Sequence, residues 1–442
     1  MNRVLIAGTH SGCGKTTVTC ALLSAFKMRG MDVSAFKCGP DYIDPMFHRE
    51  IVGVRSHNLD PFFCGGGELR GLLTAHAGEL SVIEGVMGYY DGVGPEGTGS
   101  TYDVARQTDT PVVLVVDVKG MAASAGAVLH GFRSFRPQSR IRGVIFNGVS
   151  PVLYEDYKEV ARAAGVPALG FLPRLPELTV KSRHLGLITA GEIADIKAKL
   201  VRLGKLAEQY IDMTGILELA RSAPALDEPL TPEAALPRSV RVAVARDKAF
   251  CFLYQENLEL LESLGCELVF FSPLCDRALP ERIGGLYLPG GYPELHLEAL
   301  SSNAAMRRAI REAVPGGLPT VAECGGFLYL HESLDGYPMA GVINAKAFKT
   351  DKLQRFGYVT LTANADNLLC AAGNAIRAHE FHYYDSADNG TGFAAKKARD
   401  GCEYACVHAT STLYAGFPHL YFPANPSFAE SFVRKAAAYA QV

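Results

Sequence analysis

The run Gly8-Thr9-His10-Ser11-Gly12-Cys13-Gly14-Lys15-Thr16-Thr17 constrains this chain more than any other feature, because of what flanks it. Val4 to Ala7 is a short, continuous apolar run of strand type, and Thr16 to Arg29 has helical spacing and length. A glycine-rich turn between a buried strand and a helix is a phosphate cradle. Its glycines let backbone N–H groups close on phosphate oxygens, and the helix N-terminus adds a favourable dipole. Lys15 reaches the terminal phosphates and the Thr16 hydroxyl is placed for Mg²⁺. Gly12, Cys13, Gly14, Lys15, Thr16 and Thr17 are the expected ATP-binding residues. Five residues separate Gly8 from Gly14, where the usual loop has about four.

The pattern around this loop repeats. Val33 to Phe36, Ser81 to Glu84, Val112 to Asp117, Gly143 to Phe146 and Ala168 to Phe171 are nearly continuous apolar runs, as in strands covered on both faces. Gly67 to Ala77, Ser124 to Arg133 and Tyr154 to Ala164 have helical spacing between them. Repeated βαβ units predict an α/β domain with a doubly wound parallel sheet. In such a sheet the carboxyl ends of the strands share one crevice. Two acidic segments fall there, Lys37-Cys38-Gly39-Pro40-Asp41-Tyr42-Ile43-Asp44-Pro45 and Glu84-Gly85-Val86-Met87-Gly88-Tyr89-Tyr90-Asp91-Gly92. Thr16, Glu84 and Asp41 are the candidate Mg²⁺ ligands, and Asp41, Tyr42, Asp44 and Asp91 the candidates for orienting substrate or metal. Asp117 is equally a second Mg²⁺ carboxylate or a helix cap, and His10 either meets substrate or faces solvent.

From Ile188 to Ala220 the pattern is helical and charged, and residues 222–239 carry four prolines with scattered acidic residues, a linker composition. The organisation expected is therefore 1–221, linker 222–239, and a second domain over 240–435. Val240 to Ala245, Glu267 to Phe271, Gly285 to Leu288 and Thr320 to Ala322 read as strands and Tyr254 to Leu264 as a helix, a second α/β domain. Its last strand enters Glu323-Cys324-Gly325-Gly326-Phe327. A sharp strand-to-helix turn exposes the sulfur, the glycines admit a substrate, and the helix N-terminus favours thiolate, so Cys324 is the expected nucleophile. The turn Leu288-Pro289-Gly290-Gly291-Tyr292-Pro293-Glu294 lies after another strand, and the N–H groups of Gly291 and Gly325 are the expected oxyanion hole. A base is needed, and His296, His331, His379, His382, His408 and His419 are all available; spacing does not choose among them. Cys402, Cys406 and His408 are a weak metal pattern, for which core packing is the expectation.

The chain has 442 residues, enough for two or three cores, and its 43 Lys plus Arg against 46 Asp plus Glu give a formal charge of −3. Near-neutral charge without basic clusters argues against a nucleic-acid or anionic-membrane binder. The longest apolar runs are of strand length, far from the roughly 20 residues of a membrane span, and the apolar run at the N-terminus is too short for a secretory signal. A cytoplasmic protein is expected. Its eleven scattered cysteines do not form a disulfide framework and are expected to be reduced.

The long phosphate loop resembles that of dethiobiotin synthetase and related carboxylate-activating enzymes. In order along the chain, the loop, Lys37 to Pro45, Glu84 to Gly92, Ser182-Arg183-His184-Leu185-Gly186-Leu187, Pro289 to Glu294, Glu323 to Gly326 and His379-Glu380-Phe381-His382-Tyr383 resemble the cobyrinate a,c-diamide synthases over essentially the whole chain. The resemblance implies an N-terminal ATP-dependent amidoligase domain that phosphorylates a corrinoid carboxylate, using Mg²⁺, and a C-terminal class I glutamine amidotransferase domain that supplies ammonia. It implies small-molecule substrates (cobyrinate, L-glutamine and ATP) in cobalamin biosynthesis. It further implies that Cys324 attacks the glutamine amide and that His419, in Gly416-Phe417-Pro418-His419-Leu420-Tyr421-Phe422, activates it. Phe417 and Pro418 depart from the family's usual residues, Tyr421 stands where a second histidine is common, and the carboxylate two residues after the histidine of many class I glutaminases is absent. What orients His419 is left open. Hydrogenobyrinate and Ni-sirohydrochlorin are alternative acceptors, because close relatives amidate them with the same motifs. A partitioning-type ATPase switch is the alternative of another class; it usually carries an extra lysine where Thr9, His10 and Ser11 stand, and has no use for Glu-Cys-Gly-Gly. A homodimer is expected from the fold class alone. Ammonia is expected to pass between the domains internally.

Overall fold

A computed structural model describes residues 1–174, 190–226 and 240–441 of the chain. Two compact units divide it, Met1–Thr231 and Pro232–Val442. The division falls within the stretch read as a linker, of which residues 227–239 lie outside the described residues, as does the 182–187 motif.

In the first unit the strands are β1 (Asn2–Gly8), β2 (Val33–Cys38), β3 (Arg55–Leu59), β4 (Leu80–Glu84), β5 (Val112–Asp117), β6 (Ile141–Asn147) and β7 (Ala168–Leu172). They form one sheet in the order β3-β2-β4-β1-β5-β6-β7, parallel throughout. The apolar strands are almost wholly buried because helices cover the sheet. Val4, Ile6, Val82, Val113 and Val115 pack against Leu22 and Phe26 of the helix Lys15–Met28 and Leu203 of the helix Ala190–Tyr210. The strand β3 was not expected. Its sequence Arg-Ser-His-Asn-Leu has no apolar signature because Ser56 and Asn58 are buried through hydrogen bonds instead. The short helices Ile43–Phe47 and Thr101–Gln107 were likewise not expected; Ser100 caps the second by accepting from the Asp103 N–H.

The second unit holds two sheets. Its strands are β8 (Val240–Ala245), β9 (Cys266–Phe271), β10 (Gly285–Leu288), β11 (Thr320–Glu323), β12 (His331–Leu334), β13 (Tyr337–Pro338), β14 (Ile343–Ala363), β15 (Ala375–Ser386), β16 (Phe393–Lys397), β17 (Glu403–Cys406), β18 (His408–Ala409), β19 (Leu413–Gly416) and β20 (His419–Leu420). The first sheet runs β18-β19-β11-β10-β8-β9 and is parallel except at β18–β19. The second runs β13-β12-β14-β15-β20, with β16 and β17 carried on β14. Charge hides this second sheet in the sequence, since exposed Lys and Arg residues interrupt the apolar positions of β14 and β15. The closing helix Pro426–Ala440 runs past residue 435, where the domain was expected to end. Phe428, Phe432, Val433 and Ala436 keep an apolar face on it as far as its last turn, and they pack with Val240 and Val242.

Candidate active sites

The carboxyl ends of β1, β2 and β4 lie side by side, with Ile6 and Lys37 both in register with Glu84. Here the phosphate loop leaves β1. Gly12 and Gly14 take positive φ of 85° and 100°. A Cβ on Gly14 would lie 2.2 Å from Asn147 Nδ2, the group that ties the loop to β6 by donating to Cys13 O at 3.0 Å. Lys15 donates to His10 O at 3.1 Å, and burial holds its amine below the ordinary lysine value. His10 itself is exposed, its ring against the Thr9 hydroxyl.

Glu84 is the centre of a buried network. Its Oε1 accepts from Thr16 Oγ1 at 2.6 Å and from Lys37 Nζ at 3.0 Å, and its Oε2 lies 3.1 Å from His48 Nε2. His48 Nδ1 in turn meets Ser56 Oγ at 3.1 Å. Lys37 also pairs with Asp44 at 2.5 Å. Burial by itself would raise the Glu84 carboxyl, but Lys37, His48 and Thr16 hold it well below the usual carboxylate range. Burial would likewise lower Lys37, yet Asp44, Glu84 and Asp41 keep it well above the usual value. Asp41 Oδ1 caps the helix Ile43–Phe47 by accepting from the N–H groups of Ile43 and Asp44, and burial, then Asp44, pushes its carboxyl up to about 6. Tyr42 is buried at the start of the same helix.

Two further acidic candidates each accept a hydrogen bond within a turn. Asp91 is exposed and closes its own turn, accepting from the Gly88 N–H at 2.9 Å. Asp117 accepts from the Lys119 N–H at 3.0 Å in a turn ahead of the helix Ser124–Ser134, which it does not cap, and lines a 640 Å³ cavity with Gly12, Gly14, Thr17, Asn147 and Tyr157. An ionised carboxylate beside a hydroxyl at the loop is a hard-oxygen donor set of the kind Mg²⁺ takes, so Thr16 and Glu84 fit that ion. Lys37 and His48 were missed as site residues. A lysine at the end of the apolar run Val-Ser-Ala-Phe was the signal for the first; nothing in the sequence marks the second.

In the second unit, Cys324 lies between β11 and the helix Gly325–Leu330 with φ 45° and ψ −101°, a strained conformation for a residue with a side chain. Its N–H is held by Gly416 O at 2.8 Å. The glycines after it are required by close approach: a Cβ on Gly326 would lie 2.0 Å from Leu288 O, and one on Gly325 would lie 2.9 Å from Gly291 N. A Cβ on Gly291 would strike Ala249 O at 2.1 Å. On the other side of this turn a Cβ on Gly290 would lie 2.3 Å from His419 Cε1, so the imidazole rests on the glycine turn that faces Cys324. Among the candidate histidines, His331 is tied to Ser386 and Phe327 O, His382 to Tyr384 O, and His408 to Asp388 O.

Burial, then Glu294, raises the Cys324 thiol well above its ordinary value, and the Gly325 N–H opposes this. Burial, then His379 and His382, lowers His419 to about 3, leaving it a neutral imidazole able to accept a proton. Its Nδ1 lies 3.9 Å from Glu323 Oε2. That carboxyl is fixed by the Leu420 N–H at 3.0 Å on Oε1 and by Tyr287 Oη at 3.1 Å on Oε2. The departures around His419 are packing residues. Phe417 stacks on His382 with ring centroids 3.8 Å apart and meets Phe327 edge-on, and Tyr421 meets Tyr254 edge-on. Cys406 is buried as expected, but Cys402 is exposed, because it follows the turn between β16 and β17.

Residues 4–187 match the CobQ/CobB/MinD/ParA nucleotide binding domain, and residues 241–426 match the CobB/CobQ-like glutamine amidotransferase domain. A cobyrinate a,c-diamide synthase of Thermoplasma volcanium is 38% identical, with 99% of this chain and 98% of that one aligned. The one from Listeria innocua is 39% identical over 97% of this chain and 98% of its own length. The chain belongs to the cobyrinate a,c-diamide synthase family. A third member, from Caldanaerobacter subterraneus, is 42% identical over 86% of this chain and 85% of its own. As a member of that family the chain is a ligase with glutamine as its amido donor, built from a nucleotide-binding α/β unit and a glutamine amidotransferase unit. The partitioning-switch alternative accounts for the first of these and leaves residues 241–426 without a role. Among the described residues no helix is long and apolar enough to cross a membrane.

Proposed function

We propose that the chain amidates the a and c carboxylates of cobyrinate in cobalamin biosynthesis, with ATP forming an acyl phosphate and glutamine supplying the ammonia. The observation that carries this reading is the presence in one chain of the Thr16–Glu84–Lys37 network beside a phosphate loop and of Cys324 facing the Gly290–His419 turn. In the first unit, the loop amides from Gly12 to Thr17 and Lys15 bind the phosphates. Thr16, Glu84 and Asp41 would hold Mg²⁺, which supplies charge neutralisation on the phosphate oxygens. A substrate carboxylate oxygen attacks the γ-phosphorus, ADP leaves, and the acyl phosphate forms; ammonia then displaces inorganic phosphate to give the amide. Lys37 offers a buried positive charge for orienting the carboxylate or the transferred phosphoryl group.

In the second unit, His419 takes the Cys324 proton as the sulfur attacks the glutamine amide carbon, and the Gly291 and Gly325 N–H groups face the oxyanion. Ammonia leaves, carrying the proton returned by His419, and water hydrolyses the glutamyl thioester to glutamate. Residues 1–221 and the segment from 240 onward are thereby assigned as amidoligase and amidotransferase. The test is mass spectrometry of cobyrinic acid incubated with the protein, glutamine and Mg-ATP, beside Cys324→Ala given glutamine or ammonium salt. Two OH-to-NH₂ replacements are expected, lost in the variant with glutamine and restored with ammonium. Intact glutaminase without a mass change overturns cobyrinate as acceptor and transfers the assay to hydrogenobyrinate and Ni-sirohydrochlorin.

A further inference from the structure

The hairpin β14–β15 changes register at two places, between Lys349 and Gln354 and between Gln354 and Gly357, and the second is a single-residue mismatch. Gln354 pairs with His382 and Gly357 with Glu380, so Arg355 and Phe356 together oppose the single residue Phe381. This is a bulge, a device that re-aims a side chain, and Arg355 at its centre has a φ of 43° that a residue with a Cβ rarely adopts. Polar groups are left over around it. Glu380 is fully buried; its Oε2 accepts from Tyr404 Oη at 2.6 Å, while Oε1 has no hydrogen-bond partner among the described residues. His382 is 4% exposed, donates Nδ1–H to Tyr384 O at 2.6 Å, and likewise has no partner at Nε2. Arg355 lies over the ring of Tyr404, with Cζ 5.1 Å from its centroid, and Nη2 is 3.8 Å from Asp385. Its Nη1 is buried without a hydrogen-bond partner among the described residues.

Buried groups left unsatisfied in this way carry a large free-energy penalty, so three in one neighbourhood call for an occupant. Two are acceptors and one is a cationic donor. Glu380 and His382 are two apart on a strand and so project from the same face. The His382 Nδ1–H is committed to a carbonyl, which leaves Nε2 as an acceptor, as is Glu380 Oε1. The matching ligand has an ammonium and a carboxylate close together, which is the α-carbon of an amino acid. The place is near the nucleophile's histidine: His382 stacks on Phe417, two residues before His419. Glu380 adds to the negative field at the Cys324 sulfur.

We propose that Arg355 receives the α-carboxylate, and Glu380 with His382 the α-ammonium, of the L-glutamine whose side-chain amide is presented to Cys324. This rests on the glutaminase reading of Cys324 and deepens it. Glu294 is the competing carboxylate, since it acts more strongly on the Cys324 thiol, but it is only partly buried and has Lys349 in its surroundings.

The test uses the full-length enzyme and three amides: L-glutamine, glutaramate, which lacks the α-ammonium, and 4-aminobutanamide, which lacks the α-carboxylate. They are compared as glutaminase substrates, or as competitive inhibitors where turnover is too slow to read. Arg355→Met is expected to lower kcat/KM for glutamine and glutaramate by roughly 10- to 100-fold, the scale of one hydrogen bond to a charged group, and to leave 4-aminobutanamide unaffected. Glu380→Gln is expected to do the same to glutamine and 4-aminobutanamide and to spare glutaramate. Arg355→Lys, which keeps the charge, should recover part of the loss. Equal losses on all three amides in both variants, or the ammonium-selective pattern appearing in Glu294→Gln in place of Glu380→Gln, would overturn the assignment. Absence of glutamine hydrolysis by the unmodified enzyme would instead remove the glutaminase reading itself.

Discussion

Glu323 Oε2 lies 3.9 Å from Nδ1 of His419, and the residue that carries this carboxyl immediately precedes the proposed nucleophile Cys324. Many class I glutaminases place a carboxylate two residues after the histidine; Tyr421 occupies that position here and packs against Tyr254. The group facing the imidazole therefore comes from the other side of the site, on β11. Glu323 is buried with its oxygens held by the Leu420 N–H and Tyr287 Oη, so the role proposed for it is to act through His419 as a positioning residue. Glu323→Gln is expected to lower kcat for glutamine hydrolysis by about 10- to 100-fold with little change in KM. Glu323→Leu removes the acceptor for the Leu420 N–H and the partner of Tyr287 Oη, and is expected to destabilise the fold by about 1–3 kcal/mol as well. A KM effect larger than the kcat effect in Glu323→Gln would count against the positioning role.

The second unit should be most stable on the weakly acidic side of neutrality. Burial lowers His331, His379 and His382 to about 4 and His419 to about 3, so the unfolded chain binds more protons at these positions below about pH 6.5. Their contribution is present above that pH and is lost as the pH falls towards 4. Burial raises Glu294 and Glu380 to about 7 and Glu323 to about 8, the opposite case. Their contribution is complete below the unfolded carboxyl value of about 4.5 and is lost as pH rises through 7 to 8. Between about 4.5 and 6.5 the two sets oppose each other, and outside that window each acts alone. The melting temperature is expected to fall from pH 6.5 to pH 8 and again below pH 4.5. Because Gln carries no proton to lose, the stability gap between the unmodified protein and Glu323→Gln should narrow as the pH rises to 8. A gap independent of pH would show that Glu323 does not titrate in this range.

Lys37 tests the other unit. Lys37 is 4% exposed and its ammonium serves both Asp44 and Glu84, so Lys37→Met leaves two carboxylates buried without their cation. Breaking a buried pair in this way costs about 3–5 kcal/mol. The double variant Lys37→Met/Asp44→Asn removes one of the stranded charges and should regain part of that loss, which urea unfolding of the four-member cycle would measure. Additive losses would mean that the two side chains do not interact energetically.

The sequence made the parallel core legible because helix-covered strands are written as apolar runs, as in Val112 to Asp117, and the phosphate loop because glycine spacing survives any environment. The turn around the proposed nucleophile was legible for the same reason: Gly325 and Gly326 are dictated by contact with Gly291 N and Leu288 O. What stayed hidden was whatever depends on partners distant in the chain. His48 reaches Glu84 across 36 residues, and Glu323 reaches the Leu420 N–H across 97. The bulge at Arg355 is hidden too, since it is a mismatch between two strands and belongs to neither sequence alone. Family resemblance selected His419 from six histidines, which spacing could not do.

Gly14 gives the sharpest test of the phosphate loop because two independent obstacles oppose a side chain there. Its φ of 100° is left-handed, and a Cβ would lie 2.2 Å from Asn147 Nδ2 and 2.9 Å from Asn147 Cγ. Gly14→Ala must therefore distort the loop or displace Asn147, which breaks the bond from Asn147 to Cys13 O. Nucleotide binding, followed by calorimetry with a non-hydrolysable ATP analogue, is expected to fall at least about 100-fold, since several loop N–H groups lose their alignment together. Asn147→Ala alone removes only the tether and should weaken binding far less. In the double variant the space is open but the backbone strain stays, so binding should recover only in part. Full recovery would locate the whole effect in the Asn147 clash, and no recovery would locate it in the left-handed backbone; glutaminase activity of the second unit, measured in the same samples, should stay at the unmodified level throughout.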